Sequence, residues 1–261
     1  MSQTPLPETL VVEQRENVLL VRLSRPAKRN AINDGLMEAI ERVFDAIPDS
    51  VGAVVLHGEG ANFSAGLDLS ELTERDAVEG VMHSRFWHRV LEKIQFGKVP
   101  VVAALRGAVI GGGLELASAA HIRVAETSAF YALPEGQRGI FVGGGGSARI
   151  PRLVGVALML DMMMTGRVIK AEEGKPLGFS QYVVEPDQGL PTAIELAKKI
   201  AGNAKMTNYA LMPVWPRIAD VSQEAGLMME SLAASIAQSA PEAKARVRDV
   251  LEKRAGKVEV K

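Results

Sequence analysis

The chain has 261 residues, 47% hydrophobic and 23% charged, with a formal net charge of −1 and an isoelectric point near 6.5. That balance describes a globular chain with a well-filled core, and it leaves no electrostatic footprint for nucleic acid or an anionic membrane. Cysteine is absent, which excludes disulfides and thiolate metal sites and fits a reducing compartment. The polar start from Met1 to Glu8 has no stretch of signal-peptide type, and no run approaches the ~20 apolar residues of a spanning helix, so a cytoplasmic protein is expected. His57, His83, His88 and His121 stand at no zinc-motif spacing, so no metal is expected.

In chain order, residues 10–24 alternate apolar and polar around Glu16-Asn17 and predict a β-hairpin. Asn33 suits the cap of a helix from about Gly35 to Ala46. The β-branched run from Val51 to His57 predicts a buried strand, followed by a helix from about Ala77 to Phe96 and a second buried strand from Pro100 to Leu105. Alternation continues through His121-Ile122-Arg123-Val124. After about Val184 only helical patterns follow, including one from Gln223 to Gln238 and one from Pro241 to Arg254. No linker-like stretch intervenes, so the expectation is an α/β core over 1–185 with an all-helical region over 186–261 packed on it or on a neighbouring subunit.

Three segments bear on chemistry. Gly111-Gly112-Gly113-Leu114-Glu115-Leu116 reads as a strand-to-helix turn whose free N–H groups suit a developing anion; read alone, it equally permits tight strand–helix packing. Phe63-Ser64-Ala65-Gly66-Leu67-Asp68 follows a strand and offers the Leu67 N–H as a second donor, while Asp68 reads as a cap or turn residue. Glu115, flanked by leucines, is either exposed on an amphipathic helix or buried with a raised pKa; Glu135 follows Pro134 and alone would be an ordinary loop acid. Gly143-Gly144-Gly145-Gly146-Ser147 lacks the lysine of a phosphate loop and reads as a tight turn before a helix starting near Ser147. Arg22, Arg25, Lys28 and Arg29 form a cationic cluster that is a solvated edge or a handle for a phosphate-rich ligand, and Met162-Met163-Met164 reads as core packing.

Taken in order, these segments resemble the enoyl-CoA hydratase/isomerase (crotonase) superfamily, through Arg25-Pro26-Ala27-Lys28-Arg29-Asn30-Ala31, Phe63 to Asp68, Pro100 to Ala117, Pro134-Glu135, Gly143 to Ser147 and Leu160 to Gly166. The resemblance implies an α/β, crotonase-like spiral of ββα turns with an all-helical C-terminal extension, assembly as a homotrimer or hexamer (a dimer of trimers), and acyl-CoA substrates. It implies an oxyanion hole from the N–H groups of Leu67 and Gly112, and CoA contacts at Lys28, Arg29, Ala31, Ala65 and Gly66. Glu115 and Glu135 fall on the two positions that hydratases use as an acid/base pair, with no cofactor beyond the coenzyme A of the substrate. Having both acids favours water addition to a 2-enoyl-CoA; the alternatives are double-bond isomerisation, acyl-CoA hydrolysis or cleavage on the same scaffold, or binding of a CoA ester or RNA without turnover. The chain departs from the hydratase pattern over Gly136 to Val142, where Gln137 and Arg138 bring polar groups near the acid, and at Leu251, where an aromatic residue is common. Glycine near 143 disfavours the family's aspartate-dependent dehalogenation.

Overall fold

The computed structural model describes residues 5–71 and 74–252. Strands β1 (Leu10–Arg15) and β2 (Val18–Leu23) form the expected antiparallel hairpin, with Glu16 in the turn at φ 54. Helix α1 (Asp34–Asp45) begins where Asn33 accepts from the Leu36 N–H at 3.0 Å, satisfying one of the orphan donors of a helix start. Strand β3 (Ala53–Gly58) and helix α2 (Ala77–Gln95) follow, the helix opened by a reciprocal capping box between Asp76 and Glu79.

From here each turn of the chain repeats one course. Strand β4 (Val101–Leu105) passes through Arg106 and Gly107 into β5 (Ala108–Ile110), and helix α3 (Gly112–Ala119) returns. Strand β6 (Ile122–Glu126) passes into β7 (Phe130–Ala132), followed by α4 (Gly146–Val154) and α5 (Val156–Thr165). Then come β8 (Ile169–Lys170), α6 (Ala171–Leu177) and β9 (Tyr182–Val184). The first strands of the turns stack as a six-stranded sheet in the order β1-β2-β3-β4-β6-β9, parallel from β2 onward; the second strands make a smaller sheet, β5-β7-β8. This is a spiral of ββα turns.

Burial on both faces explains why the parallel strands read as unbroken apolar runs. Val54, Leu56, Val101 and Ala103 pack into the larger core with Leu36, Ile40, Val90 and Leu91 of α1 and α2. Their neighbours Val55, Val102 and Val124 pack instead with Ala193 and Ala197 of α7 (Gly189–Ala201). The first helix of the helical region is therefore built into the core. Beyond it, α8 (Lys205–Ile218) packs on α9 (Gln223–Ser239), and α10 (Pro241–Leu251) follows; Trp215, Met228, Leu232, Ile236 and Val250 of these helices are exposed. The expected helix to Arg254 is described as far as Leu251, and Lys253 and Arg254 lie outside the described residues. Of the three methionines read as core, Met162 and Met163 are buried, but Met164 is 74% exposed, because the third successive position on a helix turns away from the face the first two share. Among the described residues, no helix is long and apolar enough to cross a membrane.

Candidate active site

Successive turns of the spiral bring three loops into register. The Ser64 N–H donates to Ala108 O at 2.9 Å and the Ile110 N–H to Ser64 O at 3.1 Å, which ties the 64–67 loop to β5. Strand β5 pairs in parallel with β7, and the Gly111 N–H donates to Ala132 O at 2.9 Å. Leu67 thus leaves a loop bridged to β5, and Gly112 and Glu135 follow the paired strands β5 and β7. They line one cavity of about 300 Å³ together with Glu115, Trp87 and Gly144.

The two expected N–H donors are neighbours. The Leu67 nitrogen lies 3.4 Å from where a Cβ on Gly112 would stand, and the Gly112 nitrogen 3.2 Å from where one on Gly66 would stand. Gly112 is the first residue of α3, so its N–H belongs to the orphan set of a helix start and shares the partial positive charge there. The preceding Gly111 adopts φ 50, and a Cβ on it would overlap Glu135 Oε1. Glycine is required at 111 on both counts.

The two carboxylates are both buried, and held differently. Glu115, 4% exposed on α3, receives the Gly144 and Gly146 N–H groups on Oε1, both at 2.8 Å. Desolvation raises its proton affinity, and those two N–H groups and the nearby Arg149 guanidinium oppose the rise. Glu135, 8% exposed, has Oε2 buried with no hydrogen-bond partner among the described residues. Burial, opposed by its own backbone N–H and reinforced by the charge of Glu115, pushes it up to about 7. The charge of Glu115 thus reaches Glu135 across the cavity and favours the protonated form of Glu135.

The second glycine run explains how Glu115 is tolerated in an apolar helix. It is the tight turn expected before a helix, and α4 starts at Gly146. Its N–H groups hold the protein's own carboxylate. A Cβ on Gly146 would lie 2.8 Å from Glu115 Cγ, so the approach needs glycine. Arg149 braces the turn by donating from Nη1 to Gly144 O at 3.0 Å and from Nε to Gln95 Oε1 at 2.6 Å. Sequence reading missed this cradle, and it missed Trp87, whose ring lies within 3.2 Å of the Cβ positions of both Gly112 and Gly144. The four consecutive glycines without a phosphate-binding lysine were the available signal for the cradle; nothing in the sequence singled out Trp87.

The cationic cluster divides. Arg25 Nη2 and Lys28 Nζ both lie 2.9 Å from Asp68 Oδ2, and Arg22 lies beside Glu59 at 3.7 Å. Asp68 fills the expected turn role through the Ser70 N–H, and also clamps this segment onto the 64–68 loop. The Ser70 hydroxyl and the Lys28 ammonium hold its carboxyl far below the usual range. The Ala65 N–H donates to Arg29 O at 2.9 Å, so Lys28, Arg29 and Ala31 run beside Ala65 and Gly66 on the approach to Leu67, outside the cavity lining itself. Gln137 reaches Thr165 O at 3.0 Å, and Arg138 is exposed. Among the described residues, no cluster of histidine and acidic side chains is arranged to hold a metal ion.

The sequence pattern of the enoyl-CoA hydratase/isomerase family matches residues 13–259, and the chain belongs to that family. It is an enzyme of the enoyl-CoA hydratase-like class, the hydro-lyases of this family. It is 35% identical over 198 residues to a short-chain-enoyl-CoA hydratase from Clostridium acetobutylicum, covering 75% of this chain and 76% of the relative. It is 34% identical over 225 residues to a 2,3-dehydroadipyl-CoA hydratase from Escherichia coli, covering 85% and 87%. A crystal structure of a protein provisionally described as an enoyl-CoA hydratase, from Rhodopseudomonas palustris, superposes with a TM-score of 0.92 at 60% identity over 94% of this chain and 95% of that one. An enoyl-CoA hydratase from Bacillus anthracis superposes with a TM-score of 0.88 at 29% identity, covering 94% and 96%. The expected crotonase-type spiral with its helical C-terminal extension is borne out.

Proposed function

We propose that the chain adds water across the double bond of a 2-enoyl-CoA thioester, using Glu115 and Glu135 as its acid/base pair and the N–H groups of Leu67 and Gly112 as its oxyanion hole. The observation that carries this reading is the pairing of two buried acids of unlike environment in one cavity with two neighbouring backbone donors. The thioester oxygen accepts from Leu67 and Gly112, which stabilise the enolate as it forms; one such donor is typically worth roughly 10²–10³ in rate. Glu115, with two N–H groups supporting its charge, takes a proton from water as the water oxygen bonds to Cβ. Electrons of the double bond move toward the thioester, and Glu135 delivers its proton to Cα. Two buried acids, one held by a pair of N–H groups and one with an unpaired oxygen, are suited to these opposite roles.

Lys28, Arg29, Ala31, Ala65 and Gly66 are assigned to the coenzyme A portion of the substrate, because they border the approach to the two N–H donors. The chemistry uses these acids, the two donors and water, with no separate cofactor. The exposed apolar faces of α8–α10 support assembly into the trimer, or dimer of trimers, that the family resemblance implies.

The test is to incubate the full chain and Glu135→Gln with crotonyl-CoA and longer enoyl-CoAs and follow the products by mass spectrometry. Gain of one water by the wild type, slowed roughly 10²–10⁴-fold in the variant, is expected. An unchanged mass with a moved double bond, release of free CoA, or a variant as fast as wild type overturns the reading.

A further inference from the structure

One wall of the cavity is polar, and neither the acids nor the oxyanion donors use it. Arg75 and His83 line it, with Gly80 and Ser84 of α2 between and beside them. Their side chains are only 25% and 21% exposed. Asp34, the first residue of α1, binds both from behind. Its Oδ1 accepts from His83 Nε2 at 2.7 Å and from Trp87 Nε1 at 3.2 Å, and its Oδ2 lies 3.6 Å from Arg75 Nη2. This leaves His83 Nδ1 and the other N–H groups of the Arg75 guanidinium without a hydrogen-bond partner among the described residues.

An alkyl chain pressed against this wall would cover polar groups and supply no acceptor, which is unfavourable for each group left unpaired. A carboxylate would do the reverse. A guanidinium presents paired donors in a plane that matches a carboxylate's two oxygens, and the contact is strengthened by removal from water. The remaining walls, Leu67, Ile140, Phe141 and Val142, suit the methylenes between such a group and the thioester. We propose that the substrate is an enoyl-CoA whose acyl chain ends in a carboxylate, bound at the polar wall by the Arg75 guanidinium. This rests on the hydratase reading above and adds the substrate class to it. Asp34 orients the Arg75 guanidinium and also competes for it, so it restrains the affinity it makes possible.

The experiment uses two enoyl-CoAs of equal chain length, one ending in methyl and one in carboxylate, with kcat/KM measured on the full chain. The wild type is expected to prefer the carboxylate by roughly ten- to a hundredfold, the range of charge-assisted hydrogen bonds. Arg75→Met is expected to abolish the preference, chiefly through KM for the carboxylate substrate. Asp34→Asn is expected to raise it, because the amide oxygen still accepts from Trp87 while the competing charge is gone. A cluster with a merely structural role would shift both substrates alike in both variants. Equal kcat/KM for the two substrates, or a preference that survives Arg75→Met, overturns the proposal and leaves hydration standing. Failure to add water to either substrate overturns the hydratase reading and the proposal together.

Discussion

The two glycine-rich turns, 111–113 and 143–146, have nearly the same composition and both deliver the chain into a helix, yet they use their N–H groups in opposite ways. The first places Gly112 in the wall of the cavity, where its N–H is the proposed oxyanion donor. The second closes its Gly144 and Gly146 N–H groups on Glu115. A helix start preceded by glycines is a ready anion site in either case. What decides its use is whether the protein brings an anion of its own. The turn at 143–146 invites comparison with a phosphate loop for a sound physical reason, since it does hold an anion, but that anion is a side chain of the preceding ββα turn.

The largest effect expected from breaking this contrast comes from Glu115. Glu115→Gln keeps an acceptor for both N–H groups, so it should lower kcat by roughly 10²–10⁴ and leave the denaturation midpoint nearly unchanged. Glu115→Ala should lose as much activity and also about 1–3 kcal/mol of stability, since two buried donors lose their acceptor. Equal midpoints for the two variants would show that the closed turn does not depend on the carboxylate.

Next come the glycines themselves. Gly111→Ala would force a Cβ onto Glu135 from a backbone at φ 50, and Gly146→Ala would press one onto Glu115. Each should cost roughly 1–3 kcal/mol, as overpacking does, with kcat falling on the order of 10–100-fold. The open turn should show its damage in the pH behaviour of Glu135, the closed turn in that of Glu115, so pH–rate profiles of the two variants should differ.

The pH dependence of the wild type sharpens the same contrast. Glu135 is raised from 4.5 to about 7. The folded chain then holds a proton that the unfolded chain would release, so the associated stability is complete below about 4.5 and is lost as pH rises through about 7. Glu135→Gln should remove that loss, flattening stability over this window by roughly 1–3 kcal/mol in denaturant titrations. In the wild type kcat should decline above about 7 as Glu135 loses the proton destined for Cα. A flat wild-type stability profile between those values would contradict the burial of Glu135.

The smallest effect is expected at Arg149, which braces the closed turn without lining the cavity. Arg149→Met removes a positive charge that favours ionised Glu115, so the proton affinity of Glu115 should rise. A loss in kcat of roughly threefold to tenfold, with the acidic limb of the pH–rate profile moved upward, is expected on that basis.

Much of the frame was legible in the residues. The hairpin at Glu16, the Asn33 cap and the buried strands at 53–58 and 101–105 follow from turn chemistry, capping and β-branched runs, which are local signals. The site was legible only in part. Glu115 and Glu135 could be picked out as acids beside glycines, but either alone suited an ordinary structural role, and their joint placement came from the family resemblance. The partners that determine their chemistry are nonlocal. The donors to Glu115 come from positions 144 and 146, and the groups behind the polar wall join Asp34 on α1 to Arg75, His83 and Trp87. No periodicity announces a carboxylate bound across twenty-nine residues or a capped helix start bound across forty-nine. The exposure of Met164 beside two buried methionines was likewise invisible in composition, since it depends on which face of α5 meets the core.

The closed turn also has a consequence for the chain during synthesis, because it joins an earlier residue to later ones. Glu115 leaves the ribosome before Gly144 and Gly146, so for that interval its carboxylate can be satisfied only by water. Burial of α3 without the later turn would strand a charge, and the nascent chain gains by keeping that helix hydrated until its acceptor can be filled. Glu115, the proposed general base, is thus the piece of the core that must wait for the turn at 143–146.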